Sequence, residues 1–190
     1  ETVFYILYIL ASSSGLLHKE YIKQLAPELQ KNVIHYINSM SQNDIRNIKK
    51  ETLEIMTKVL KYYLSVSLSS SEKNEIIEKF SITIALKMLK TTFLEKRISA
   101  VKSIIDTIRS EKSNPDKMNK VLKLIEENQI FYEIYGPNSH IQLINKSKEL
   151  LEIMLQEDKL STGEIEMILN ATKKGDLEGK LTILKTLKEI

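Results

Sequence analysis

The stretch after Pro137 limits what this chain can fold into more than any other. Leu143, Ile144, the small Ser147, Leu150, Leu151, Met154 and Leu155 recur at three- and four-residue spacing, one wide stripe along a helix. A second helix start follows at Ser161-Thr162-Gly163-Glu164. There a serine and a glutamate three residues apart can satisfy two orphan backbone amides reciprocally. Helices this short are marginal in water alone, so neighbours must stack on the stripes. The sequence predicts an all-α chain.

The same reading places seven or eight helices. The first, Thr2 to Ala11, is apolar on all sides, which predicts an internal helix whose preceding partner is missing and a piece of a longer protein. Both chain ends are then expected to present apolar surface, the last through Leu181, Ile183, Leu184, Leu187 and Ile190. Ser12-Ser13-Ser14-Gly15 is a break. A short helix is expected over His18–Leu25, with Pro27 in the first turn of the next, which runs to about Met40. One helix is expected from Ser41 to Ser65–Ser67, followed by a serine-rich linker in which Ser69 can pair with Glu72.

Further helices follow from Ser69, from Leu94 to Ser110, and from Asn114-Pro115, where a capping side chain precedes a first-turn proline. A short element over 130–135 stops at Gly136-Pro137. The helices starting near Leu94 and His140 lie about 45 residues apart, inside the period of armadillo and HEAT repeats. Gly175 is expected to cap the helix that starts at Glu164, with Asp176 capping the next. The expected architecture is a segment of an α-solenoid, residues 1–190 as one helical-repeat segment with a sub-boundary at 65–71.

Composition narrows the chemistry. Only five glycines and three prolines punctuate 190 residues, too few for a β-sandwich or a doubly wound sheet. There is no cysteine, which removes disulfides, thiolate zinc sites and cysteine nucleophiles. That agrees with a reducing compartment, and a cytoplasmic location is expected. Lysine and arginine total 28 against 25 acids, scattered along the chain, so nucleic acid is a poor fit as a partner. The opening apolar run is too short to span a bilayer, which takes about 20 residues. His18, His35 and His140 are far apart, so no metal ligand set is assigned, and no glycine loop suits a phosphate or cofactor.

From Phe93 to Ile190 the chain resembles a non-catalytic helical region of the very large ubiquitin-specific proteases, the fat-facets-like deubiquitinases. Phe93-Leu94-Glu95-Lys96-Arg97-Ile98-Ser99-Ala100-Val101 is similar to that family's leucine-glutamate-x-arginine-leucine-x-glycine-leucine helix. Leu124-Ile125-Glu126-Glu127-Asn128-Gln129-Ile130, Gly136-Pro137-Asn138-Ser139-His140, Leu143-Ile144-Asn145-Lys146-Ser147 and Leu160 to Ile168 follow in the same order. The family has tryptophan where this chain has Leu169, and histidine near Asp176. In such enzymes the cysteine–histidine–acid chemistry belongs to a separate papain-like module, and none of it is in this chain.

The resemblance implies a scaffold or protein-interaction module of a large deubiquitinase, positioning substrates or partners, among them ubiquitinated proteins. The alternative is a helical-repeat adaptor unrelated to ubiquitin, binding an acidic protein or nucleic acid through a lysine-rich edge. No catalytic, metal or cofactor residue is assigned. The candidate partner contacts are Tyr132 and Tyr135, whose amphipathic rings suit interfaces, and Lys173, Lys174 and Lys180 on the basic edge.

Overall fold

The computed structural model describes residues 2–12 and 19–174, with Leu181, Leu184, Lys185 and Lys188 further on. Among the described residues every regular element is an α-helix. The chain divides into two compact units, Glu1–Thr83 and Ile84–Ile190. The division falls inside one helix and not in the 65–71 stretch. The break at Ser13–Gly15, the start at His18, the caps expected at Gly175 and Asp176, the contact at Lys180 and most of the last stripe lie outside the described residues.

The first unit holds α1 (Thr2–Ser12), α2 (Lys19–Ser39), α3 (Gln42–Asn47), α4 (Lys50–Ser67) and the opening turns of α5 (Ser70–Leu89). Helices α1 and α2 both pack on α4, whose Met56, Val59, Leu60, Tyr63 and Leu64 are buried. Phe4 of α1 meets Tyr36 of α2 with ring centroids 5.6 Å apart, and Lys58 lies over the Tyr8 ring. Helix α1 is enclosed on one side only, and it presents the apolar surface expected at this end. Phe4 is buried, while Val3, Tyr5, Ile6 and Ile9 are exposed.

Two boundaries differ from the sequence expectation. Helix α2 runs straight through Pro27 instead of restarting there. An interior proline costs roughly 3 kcal/mol through its missing amide and its clash with the preceding turn. Ile22, Ala26, Val33 and Ile37 form one buried stripe on both sides of it, and their packing outweighs that cost. The expected helix from Ser41 is instead α3 and α4. Ile48 closes α3 through its amide to Asp44 O, then leaves the helical region at ψ 125°, and its side chain is buried with Ile45.

All three serine starts carry their boxes. Ser41 pairs with Asp44, Ser69 with Glu72 and Ser161 with Glu164, each acid accepting the serine amide at 2.9–3.0 Å. The serine hydroxyl and amide hold the Asp44 and Glu72 carboxyls below their usual range.

The second unit takes the end of α5, then α6 (Leu94–Glu111), α7 (Pro115–Glu127), α8 (Ile130–Tyr135), α9 (Ile141–Gln156) and α10 (Thr162–Lys174). Asn114 caps α7 by accepting the Lys117 amide at 3.2 Å, ahead of the first-turn proline. His140 caps α9 by accepting the Gln142 amide on Nδ1 at 3.2 Å. The stripe read after Pro137 is buried from Leu143 to Met154, with Leu155 at its edge. Helix α6 packs on α7 and α9, and α8 on α9 and α10.

Helices α6 and α9 run in the same direction. Arg97, near the start of α6, bonds to Asn138 just ahead of α9, 41 residues on. Arg109, near the end of α6, bonds to Glu149 within α9, 40 residues on. A constant offset between partners is what two side-by-side helices of the same sense produce.

Candidate functional site

The side chains with the most to do lie where α6, α8 and α9 meet. Arg97 is buried in the first turn of α6, with 6% of its surface exposed. Its Nη1 donates to the Asn138 carbonyl at 2.7 Å and its Nη2 to the Glu133 carbonyl. Glu133 O is one of the terminal carbonyls of α8 that have no partner within their own helix, so the arginine caps that helix from outside. Burial draws the guanidinium below its usual pKa range, and the Glu133 carboxylate opposes the shift. Nε is buried and unpartnered.

The chain after α8 depends on Gly136, whose amide donates to Tyr132 O at 2.9 Å. A Cβ at this position would run into that carbonyl. Glycine therefore lets the turn close against α8, where Arg97 reaches the next carbonyl along.

Of the two tyrosines expected as partner contacts, α8 brings one to the surface and turns the other inward. Tyr135 is 2% exposed, which corrects its assignment to a surface. Its ring stacks on Phe131 at 6.0 Å and 18°, and its hydroxyl shares a hydrogen bond with Ser147 Oγ at 3.0 Å. Ser147 in turn donates to Ile144 O at 2.9 Å. Burial pushes the Tyr135 hydroxyl up to about 12, against the effect of the serine.

Tyr132, 54% exposed, lines a groove of about 290 Å³ with Gln129, Gly163 and Met167. Helical spacing accounts for the separation of the pair. Ile130, Phe131, Ile134 and Tyr135 share one face of a short helix, and Tyr132 stands off it.

A second, larger groove follows the seam between α6 and α9, with a volume of about 630 Å³. Arg109 and Glu149 bridge the seam in a fork, Nε to Oε1 and Nη2 to Oε2, both at 2.6 Å. Asp106 approaches the same guanidinium at 3.6 Å.

The backbones of Lys173 and Lys174 end α10. Their side chains and all of Lys180 lie outside the described residues. What sequence reasoning missed is Arg97. The signal was present, because Arg97 falls on the stripe of Val101, Ile104, Ile105 and Ile108 at i, i+4, i+7, i+8 and i+11.

Chemically the arrangement offers surfaces and a polar clamp. Among the described residues no three metal-ligating acids or histidines gather, and no helix is long and apolar enough to cross a membrane.

Comparison with known proteins gives one distant relation. The chain is 24% identical over 153 residues to ubiquitin carboxyl-terminal hydrolase 34 of Homo sapiens, and equally to that of Mus musculus. The match covers 74% of this chain and 4% of each relative. It is longer than Phe93–Ile190, so it reaches into the first half, where residues alone carried no resemblance. No protein-family description matches the chain, and no solved structure matches it.

Proposed function

We propose that this chain is a non-catalytic scaffold of a large deubiquitinase, an armadillo-like segment that positions substrates or partners in the cytoplasm. The observation that carries this is the pairing of two facts. The chain aligns over most of its length with a small part of a ubiquitin hydrolase, and it has no cysteine to attack an isopeptide carbonyl. The repeat reading is supported by α6 and α9, which lie side by side, in one sense, at a 40–41-residue offset. Stacked helices of this kind present extended grooved surfaces to partners. Tyr132, with the α10 lysines Lys173 and Lys174 and with Lys180, remains a partner contact in this reading.

An antibody raised against the chain, used to recover the native polypeptide from its source, tests the link. Treated with a ubiquitin vinyl sulfone probe, the recovered polypeptide should react covalently, and the purified 190-residue chain should not. An unreactive native polypeptide would remove the deubiquitinase connection. Probe labelling of the purified chain would contradict its non-catalytic role.

A further inference from the structure

We infer that the groove along the α6–α9 seam docks an extended acidic peptide bearing an apolar anchor residue. This rests on the reading of the chain as an interaction module and gives its partner a chemistry. The groove has two compartments, of about 630 and 240 Å³, which share Arg109, Lys146 and Glu149. The larger is within the range of about 300–1,000 Å³ in which protein clefts hold ligands. The floor is apolar. Ile105 and Ile108 are buried, and Ile98 and Ile153 are half-buried.

Five lysines and arginines and four carboxylates line the two compartments, an excess of one positive charge, and the ion pairs within the groove leave three lysines outside them. Arg109 is committed to Glu149 and Asp106, and Lys148 faces Glu152 at 3.8 Å. Lys102 and Lys146 line the smaller compartment, Lys112 and Lys146 the larger. All three lysines are exposed, and none of their ammonium groups has an ion-pair or hydrogen-bond partner among the described residues. Against them stands Glu157, the lining carboxylate that no described cation engages.

Lysines on a convex helix face are ordinarily just solvated. These three border a concave, apolar-floored channel, where an incoming carboxylate meets a cation while its neighbour is removed from water. A nucleic acid fits less well. Its charge repeats at every phosphate, and its backbone brings no apolar side chain to the isoleucine floor. A peptide can alternate, setting acids against the lysines and an apolar side chain on the isoleucines.

Fluorescence anisotropy with the purified chain tests this. The probe is a fluorescein-labelled peptide, Ser-Glu-Glu-Leu-Glu-Asp-Ser. Its comparators are the same peptide with lysine for each acid, one with glycine for leucine, and a single-stranded oligonucleotide of equal length. Saturable binding of the acidic peptide is expected, with a loss of roughly tenfold in Lys146→Glu and more when Lys102→Glu and Lys112→Glu are added.

Lys120→Glu, on the exposed side of α7 and outside the groove, should bind as the parent does. Circular dichroism confirms that each variant is helical, and Lys146→Gln replaces Lys146→Glu if the reversal unfolds the chain. Glycine for leucine should also weaken binding. No saturable binding, equal binding of the lysine peptide, tighter binding of the oligonucleotide, or undiminished binding by the folded Lys146 variant would each overturn the inference. The ubiquitin-probe experiment is indifferent to all four, so the groove can fail while the deubiquitinase link stands, and the reverse.

Discussion

Each compact unit buries a tyrosine, and the two hydroxyls meet opposite fates. In the first unit Tyr63, toward the end of α4, is 0% exposed and packed edge-on against Tyr62, and its hydroxyl has no partner. In the second unit Tyr135 is nearly as buried, and its hydroxyl is held by Ser147 across α8 and α9. A buried hydroxyl without a partner carries its desolvation cost for nothing, whereas a paired one ties two elements at a single register. Tyr63 is thus present for its ring and Tyr135 for its ring and its bond. The same contrast extends to Arg97, a buried cation that closes α8 from the neighbouring helix.

The largest test of this contrast is Arg97→Met. Methionine keeps much of the stem volume and removes both bonds to the carbonyls of Glu133 and Asn138. Two charge-assisted bonds made by a buried guanidinium are lost, so a loss of roughly 3 kcal/mol is expected in urea unfolding. A loss near zero would mean that water replaces the guanidinium freely and that the clamp is incidental.

The two tyrosines give a smaller, sharper pair. Tyr135→Phe should cost about 1 kcal/mol, because Ser147 loses a partner and keeps only its bond to Ile144 O. Tyr63→Phe should be neutral or stabilising by up to about 1 kcal/mol, since it removes a polar atom that nothing satisfies. Equal losses at both positions would erase the distinction.

A pH series sharpens it further. Burial raises the hydroxyl pKa of Tyr135 to about 12 and that of Tyr63 also upward, the latter with a contribution from Tyr62. An acid whose folded pKa exceeds its unfolded value stabilises the fold fully below the unfolded pKa. It loses that contribution as pH rises through the folded one. For Tyr135 the window runs from about 10 to about 12. Urea midpoints measured across it should fall more steeply for the parent than for Tyr135→Phe. Identical slopes would mean that the hydroxyl is not buried in solution.

Much of this fold is legible in the amino-acid sequence, and the reasons lie in particular residues. Capping boxes at Ser69 and Ser161 are local, so sequence spacing alone locates them. The stripes of α6, α7 and α9 are wide and uninterrupted, and their buried faces agree with the spacing. What escapes is decided at a distance. Pro27 reads as a helix start, because a proline's local preference says so, and only the packed stripe on either side keeps α2 continuous. Arg97 falls on the apolar stripe of α6, but its clamp escapes the sequence because its carbonyl partners lie 36 and 41 residues away. The α6–α9 groove is equally invisible, since its lysines come from helices that only the fold brings together.

Polar bonds from α6, and not apolar stripes alone, hold α8 and the turn into α9 in place. Amide hydrogen exchange on Arg97→Met measures this most directly. The amides of residues 132–144 should lose protection ahead of those around Val121–Ile125 in α7, which the arginine does not touch. Full protection of 132–144 in the variant, or an equal loss across both stretches, would contradict the claim.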